Sequence, residues 1–128
     1  MSDAESEALS EYRATLLAMD AHRIEGGGDP KQWNRLVNCL QAVHLELRKT
    51  SAGRRAITKL IEDENRTVRL WSASHALAWE PRVAQKTLER LAAEGPGLAS
   101  FDAEMTLREF RNGRLKTDWV PKGRAGKQ

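Results

Sequence analysis

The sequence is poor in cysteine, aromatic residues, valine and isoleucine: its 128 residues include one cysteine and 5% aromatics. A single cysteine, Cys39, can form neither an internal disulfide nor a cysteine metal cluster. β-Branched and aromatic residues favour strands, and no useful length of chain alternates polar and apolar residues. These absences exclude a disulfide scaffold and speak against a fold built on sheets.

Long apolar runs are also missing, and none approaches the roughly 18 residues of a membrane span. The amino-terminal stretch is acidic and lacks the basic start and apolar segment of a signal peptide. We therefore expect a cytoplasmic protein with no membrane partner.

The net charge of +3 comes from the carboxyl-terminal end of the chain. Residues 111–128 hold many bases and one acid, Asp118, whereas the rest of the chain has more acids than bases. A basic tail can bind acidic partners, or it can simply be a solvated chain end. The bases are Arg111, Arg114, Lys116, Lys122, Arg124 and Lys127.

Helical periodicity predicts an all-α fold of about six helices. The clearest helix start is Asp29, a capping residue placed directly before Pro30. Glycines at 26–28 predict a flexible loop, and Asn112-Gly113 predicts the last helix end. The predicted helices cover residues 4–24, 30–49, 52–61, 66–79, 82–94 and 98–111.

The last four predicted helices form an internal repeat. The third and fifth are apolar on one side, whereas the fourth and sixth are apolar on two. A stack of helical hairpins needs this pattern, because its inner helices also contact the neighbouring layer. With a more divergent first pair, it predicts a short right-handed stack of about three hairpins. A shift of 30 residues places Val68, Trp71, Ala73, His75 and Leu77 on Leu98, Phe101, Ala103, Met105 and Leu107.

The stretch 63–77 resembles a HEAT repeat, which has an acidic turn, then Val-Arg, then alanine and leucine at helical spacing. Asp63 and Arg69 match the aspartate and arginine that commonly tie neighbouring HEAT repeats together. The next copy has Ala99 in place of the arginine, which suggests a terminal repeat. The layout is similar to a family of small bacterial HEAT-like domains of unknown function. The resemblance implies a HEAT-like domain over 1–112 and a polar basic tail over 113–128.

The candidate binding residues centre on the tryptophan stripe, Trp71, His75 and Trp79, which are four residues apart and so lie along one line. Arg66 and Arg69 lie beside it. On an open concave face, two tryptophans beside arginines would make a protein-binding hot spot. The alternative is that the stripe is core, packed against the second helix or Trp119.

No pattern in the sequence indicates catalysis, a cofactor or a metal. The three histidines, His22, His44 and His75, lie in different predicted helices, and a zinc site needs several ligands at fitting spacing. Asp63 and Glu64 form a pair of carboxylates, and helix capping accounts for them. We predict no catalytic, cofactor-binding or metal-binding residues, although hydrolase or transferase activity carried by unrecognised residues remains the third hypothesis.

Two binding hypotheses rank above enzymatic activity. The first is a non-enzymatic protein-binding module, for example a bacterial adaptor or toxin-immunity protein. The alternative is a nucleic-acid binder with a basic face, as in HEAT-like DNA-repair glycosylases, although acids at 62–64 dilute that face. The sequence leaves the partner and the oligomeric state open. The bases of this face are Arg48, Lys49, Arg54, Arg55, Lys59, Arg66 and Arg69.

Overall fold

The structure is a computed structural model that describes residues 2–25 and 29–121, with the side chains of Ile24 and Glu25 excepted. Within these residues the chain forms six α-helices, one 3-10 turn and no strand, which confirms the predicted all-α class. The predicted loop at 26–28 and the tail beyond 121 lie outside the described residues. The helices are α1 Asp3–Glu25, α2 Pro30–Leu47, α3 Ser51–Lys59, α4 Arg66–Ala76, α5 Pro81–Ala93 and α6 Leu98–Arg111, with the 3-10 turn at Leu60–Glu62.

Local capping chemistry sets the helix starts. Ser2 and Glu5 form a reciprocal capping box at α1, with N···O distances of 2.9 and 3.1 Å. Asp29 caps α2 by accepting from the backbone N–H of Lys31, and Asn65 caps α4 by accepting from that of Val68, each at 3.0 Å. These caps confirm the predicted starts of α2 and α4.

The described residues divide into two compact units, and the division falls within α3. Unit 1 runs to Gly53 and takes in Asp118 onward, and unit 2 is Arg54–Thr117. The domain limits predicted from the sequence, 1–112 and 113–128, stay a prediction.

Unit 1 is built on the pairing of α1 with α2. Its buried apolar side chains recur at three- and four-residue spacing, as expected for amphipathic helices. They are Tyr12, Leu16, Met19, Leu40 and Leu47. The turn into α3 is tight, because an added Cβ on Gly53 would lie 1.8 Å from the carbonyl oxygen of Leu47.

Unit 2 packs α4 against α5 and α6, and α5 against α6. Equivalent positions of the 30-residue repeat share one core, since Ala73 and Ala103 are fully buried and Leu77 and Leu107 are nearly so. α5 buries one face, as predicted, through Ala84, Leu88 and Leu91. The rest of the cluster is Ile61, Leu70 and Ala76, with Trp71, Trp79, Ala92, Phe110 and Leu115 packed against it.

Candidate partner-binding surface

The tryptophan stripe lies largely in the interior. His75 is 3% exposed, and Trp71 and Trp79 are half-buried side chains packed against the unit 2 core. The Trp71 and His75 rings meet edge to face, with centroids 6.1 Å apart. The indole N–H of Trp79 donates to the Thr58 hydroxyl at 2.9 Å.

The burial fits a core role for the stripe, with Trp71 and Trp79 packed against the unit 2 core, while the expected packing against the second helix or Trp119 stays a prediction. Val68, on the same face of α4, is also fully buried, so α4 is covered on both sides as its two-sided pattern predicts. The partly exposed edges of Trp71 and Trp79 are what the stripe offers to solvent. A role for the stripe in partner binding stays a prediction.

The two predicted binding arginines are engaged in ion pairs with one carboxylate, Glu94. The Arg66 Nε lies 3.1 Å from Glu94 Oε1, and the Arg69 guanidinium lies 3.3 Å from Glu94 Oε2. Arg66 also donates to the hydroxyl of Ser100 at 2.8 Å. The arginines therefore connect the start of α4 to the end of α5 and the start of α6.

A groove of about 370 Å³ lies beside these ion pairs. The Asp63 side chain at its edge accepts a hydrogen bond from the backbone N–H of Asn65 at 2.9 Å, a local turn directly before Asn65, which caps α4. In the part of the chain that the structure describes, no group of three or more metal-ligand residues is placed to hold an ion. The groove is lined by Ile61, Glu62, Asp63, Glu64, Arg69, Val83, Thr87, Arg90 and Glu94.

His44 belongs to a buried polar chain in unit 1. Its Nε2 lies 3.2 Å from the Arg48 guanidinium, which has only donors, so Nε2 accepts. The Nδ1–H then donates to the Gln41 side-chain oxygen at 3.1 Å. Burial, together with the charge of Arg48, lowers the pKa of His44 to about 3.

The most exposed apolar surface of unit 2 lies on α6. Leu98 and Phe101 are 57% and 58% exposed, and Met105, one turn on, is half-buried. We call these three residues the α6 stripe. Opposite it, Ala103 and Leu107 enter the core. In unit 1, Trp119 and Val120 are also exposed, at 41% and 63%.

Sequence reasoning recognised the α6 stripe as the second apolar face of an inner helix but assigned binding to the equivalent face of α4. The sequence does contain a feature that distinguishes the α6 stripe from the equivalent face of α4. α6 is the last helix of the repeat, and the segment after it is polar apart from Leu115, Trp119 and Val120. Among the described residues, no helix follows α6 that could cover the stripe.

The helices pack against one another within each of the two units, and the described residues contain no strand, so the chain is an all-helical protein. The chain belongs to the family of the domain of unknown function DUF2019, whose model matches residues 13–111. No curated protein gives a significant match.

The fold is also similar to that of the protein RPA1889 from Rhodopseudomonas palustris CGA009. The TM-score is 0.78 at 24% sequence identity, over 88% of this chain and 92% of that chain. At this identity the likeness concerns the fold alone. Among the described residues, no helix is both long and apolar enough to span a membrane.

Proposed function

We propose that the chain is a non-enzymatic protein-binding module of the HEAT-like type, which acts in the bacterial cytoplasm as an adaptor or a toxin-immunity protein. The observation that carries the proposal is the α6 stripe, where Leu98 and Phe101 are both more than half exposed. Contiguous exposed apolar side chains on a soluble domain mark interaction sites.

The contacts of α4 support the HEAT-like part of the proposal. Arg69, which matches the connecting arginine of a HEAT repeat, bridges to Glu94 at the end of the next helix. The small residues Ala73 and Ala103, one repeat apart, are both fully buried. Both features fit a stack in which each hairpin contacts its neighbour.

The α6 stripe has the composition of a protein interface. Phenylalanine, leucine and methionine bury apolar area without leaving polar groups unpaired, at about 25 cal/mol for each Å² removed from water. Aromatic residues and methionine are enriched at interface cores. Phe101, in the middle of the stripe, is the expected hot spot.

No observation favours the nucleic-acid alternative. Several bases of its proposed face already have partners, since Lys49 pairs with Glu46 at 2.9 Å and Arg66 and Arg69 share Glu94. Ion pairs of this kind reduce the charge left for phosphates. Duplex binding at about 50 mM salt that weakens steeply as salt is added would revive the alternative.

Photo-crosslinking tests the proposal. A benzophenone amino acid replaces Phe101 in one variant and exposed Lys86, on α5, in a matched control, and both are expressed in cells that carry the native chain. We expect the probe at 101 to give one dominant crosslinked protein and the probe at 86 to give none. Equal, diffuse crosslinking at both positions would contradict a binding role for the α6 stripe.

A further inference from the structure

We propose that residues 118–121 form an exchangeable strap, which can leave the α2 surface of its own chain and occupy the same surface of a second copy. The strap, as we call residues 118–121, is part of unit 1 although it follows the last helix of unit 2. Exchange of this kind is a property of assembly and is independent of the proposed function. The way the strap is bound, its extended shape and the symmetry of an exchange all point to it.

The surface of α2 binds the strap through its backbone. The side-chain amide of Gln41, a residue that is 3% exposed, donates to the carbonyl oxygen of Trp119 at 2.7 Å. Such a bond depends on the backbone of the bound segment and not on which molecule carries it. Pro121, two residues on, is buried and provides a second anchor. The α2 surface at Gln41 is therefore a docking site, and the structure shows the segment that fits it.

The strap is held by few contacts. Trp119 and Val120 are 41% and 63% exposed, and Asp118 is exposed as well. Among the described residues, the bond from Gln41 is the one hydrogen bond that the strap makes. A hydrogen bond that replaces bonds to water adds little net stability. Weakly held segments open locally while the rest of a domain stays folded, and the strap has the features of such a segment.

The strap keeps an extended shape without help from α2. The ring of Pro121 fixes its own φ and disfavours a helical backbone at Val120. The β-branched side chain of Val120 is itself stiff. A segment that is already extended loses less entropy when it docks, so docking is cheap on either chain.

The connection before the strap can serve as the hinge. α6 ends at Arg111, and residues 114–117 form neither helix nor strand. Hinges are a few loop residues that absorb changes in φ and ψ. Lys116, within this connection, is exposed, so its backbone can turn without displacing a buried side chain of its own.

A second copy of the chain is the partner that fits the α2 surface. Each chain carries one strap and one such surface, so a reciprocal exchange keeps the bond from Gln41 to Trp119 and the burial of Pro121 in both chains. Exchange of an identical element is a low-cost route to dimers. The chain's own strap competes at a high effective concentration, and the exchanged dimer should therefore grow with protein concentration.

Mixed crosslinking of the full chain tests the exchange directly. A benzophenone amino acid replaces Trp119 in one population, and a second population is isotopically heavy and carries no probe. Both are unfolded together in urea, refolded at high concentration and irradiated, so that each strap can dock on either chain. We expect crosslinks from the probe into unit 1 of the heavy chain, and their share should rise with concentration. Crosslinks confined to the probe-bearing chain at every concentration would overturn the proposal.

Two neighbouring aspartate substitutions provide a matched pair. Pro121→Asp places a charge at the buried anchor, where an unpaired carboxylate is costly, whereas Val120→Asp places the same charge at an exposed position. Light scattering should detect a dimer of the wild type and of Val120→Asp, and a dimer dissociation constant at least tenfold higher for Pro121→Asp. Circular dichroism checks that both variants are helical. An unchanged dimer in Pro121→Asp would rule out strap exchange, and the crosslinking result decides the matter if that variant does not fold.

The dimer should also be independent of the α6 stripe. Phe101→Ser alters the centre of the stripe and leaves the strap unchanged, so its dimer dissociation constant should equal that of the wild type. Loss of the dimer in folded Phe101→Ser would assign the contact to α6 and overturn strap exchange. Capture of a partner by the probe at 101 tests the proposed function separately, whatever the strap does.

Discussion

The side-chain amide of Gln41 donates a hydrogen bond of 2.7 Å to the backbone carbonyl oxygen of Trp119. The bond joins α2 to the segment after α6, across most of the length of the chain, within unit 1. The side-chain oxygen of Gln41 accepts from the Nδ1–H of His44, so both the donor and the acceptor of this amide are engaged. Pro121, two residues on, is buried, so residues 118–121 are held in place.

Gln41→Leu should release this segment and lower stability. The change removes a donor and leaves the Nδ1–H of His44 without its acceptor, which costs about 1–3 kcal/mol. We expect urea unfolding at a lower midpoint and faster tryptic cleavage after exposed Lys116. Gln32→Leu, nearer the start of the same helix, is the control and should leave cleavage unchanged. Unaltered cleavage in Gln41→Leu would show that the bond does not hold the segment.

The lowered pKa of His44, which lies beside Arg48, predicts that the stability of the protein depends on pH. His44 has a folded pKa of about 3, and an unfolded histidine has one of about 6.5. Between these values the unfolded chain binds more protons, so stability falls as pH falls from about 6.5 toward 3, at up to about 1.4 kcal/mol per pH unit.

Arg48→Gln tests this account, because it removes the charge but keeps a donor. The pKa of His44 should rise while burial still holds it below its ordinary value, and the loss of stability on acidification should become smaller. Urea unfolding at a series of pH values gives the slope, and an NMR titration of the His44 ring gives the pKa. A slope equal to that of the wild type would contradict the role of Arg48.

Gly53→Ala should be strongly destabilising. Its Cβ would meet the backbone of Leu47, with the carbonyl oxygen at 1.8 Å and the carbonyl carbon at 2.7 Å. Because a backbone cannot rotate aside as a side chain does, we expect a loss of about 3 kcal/mol or more. Thermal unfolding provides the measurement. Exposed Ser51→Ala, in the same helix, should stay within about 0.5 kcal/mol of the wild type.

Glu94→Gln should weaken unit 2 through the loss of two ion pairs. Each pair is partly exposed, with 41% of the Glu94 side chain accessible, so each is worth about 0.2–1 kcal/mol. The deficit should shrink in 1 M salt, where the Debye length is about 3 Å. Glu89→Gln should cost less, because it loses a single ion pair, with Arg111, and that pair is more exposed than those of Glu94. A deficit independent of salt would point to packing instead.

The hydrogen bond from Trp79 to Thr58 suits a double-mutant cycle. Urea unfolding compares the single variants Trp79→Phe and Thr58→Val with the double variant. We expect a coupling free energy of about 1 kcal/mol. Trp79→Ala should cost more, about 3 kcal/mol, because it also opens a cavity beside the core. Full stability of Trp79→Ala would mean that the residue is not part of the packing.

Local signals in the sequence predicted the all-α class and the six helices of the described residues, while the HEAT-like stacking of hairpins stays a prediction. Asp29 and Asn65 fix the starts of α2 and α4, because capping chemistry acts within a few residues. Ends were less accurate: the fourth helix was expected to reach 79, but α4 ends at Ala76, and the chain closes a turn in which the Glu80 N–H bonds to the Ala76 oxygen at 2.6 Å.

The candidate site was harder to predict, because periodicity shows that a face is apolar and not what covers it. Trp71 and Phe101 occupy equivalent positions of the repeat, yet Trp71 packs against a core and Phe101 is 58% exposed. The sequence does not show that Arg66 and Arg69 share Glu94. Glu94 lies far from both arginines in the chain, and charged residues are frequent throughout.

The four tryptophans are divided evenly, with Trp33 and Trp119 in unit 1 and Trp71 and Trp79 in unit 2. Trp33 lies 5.8 Å from the His22 ring and 5.3 Å from the Arg23 guanidinium, whereas Trp71 meets His75. The chain therefore carries its own fluorescent reporters, two for each unit. Phenylalanine replacement of one pair at a time would reveal whether the units melt together or in sequence, without any attached dye.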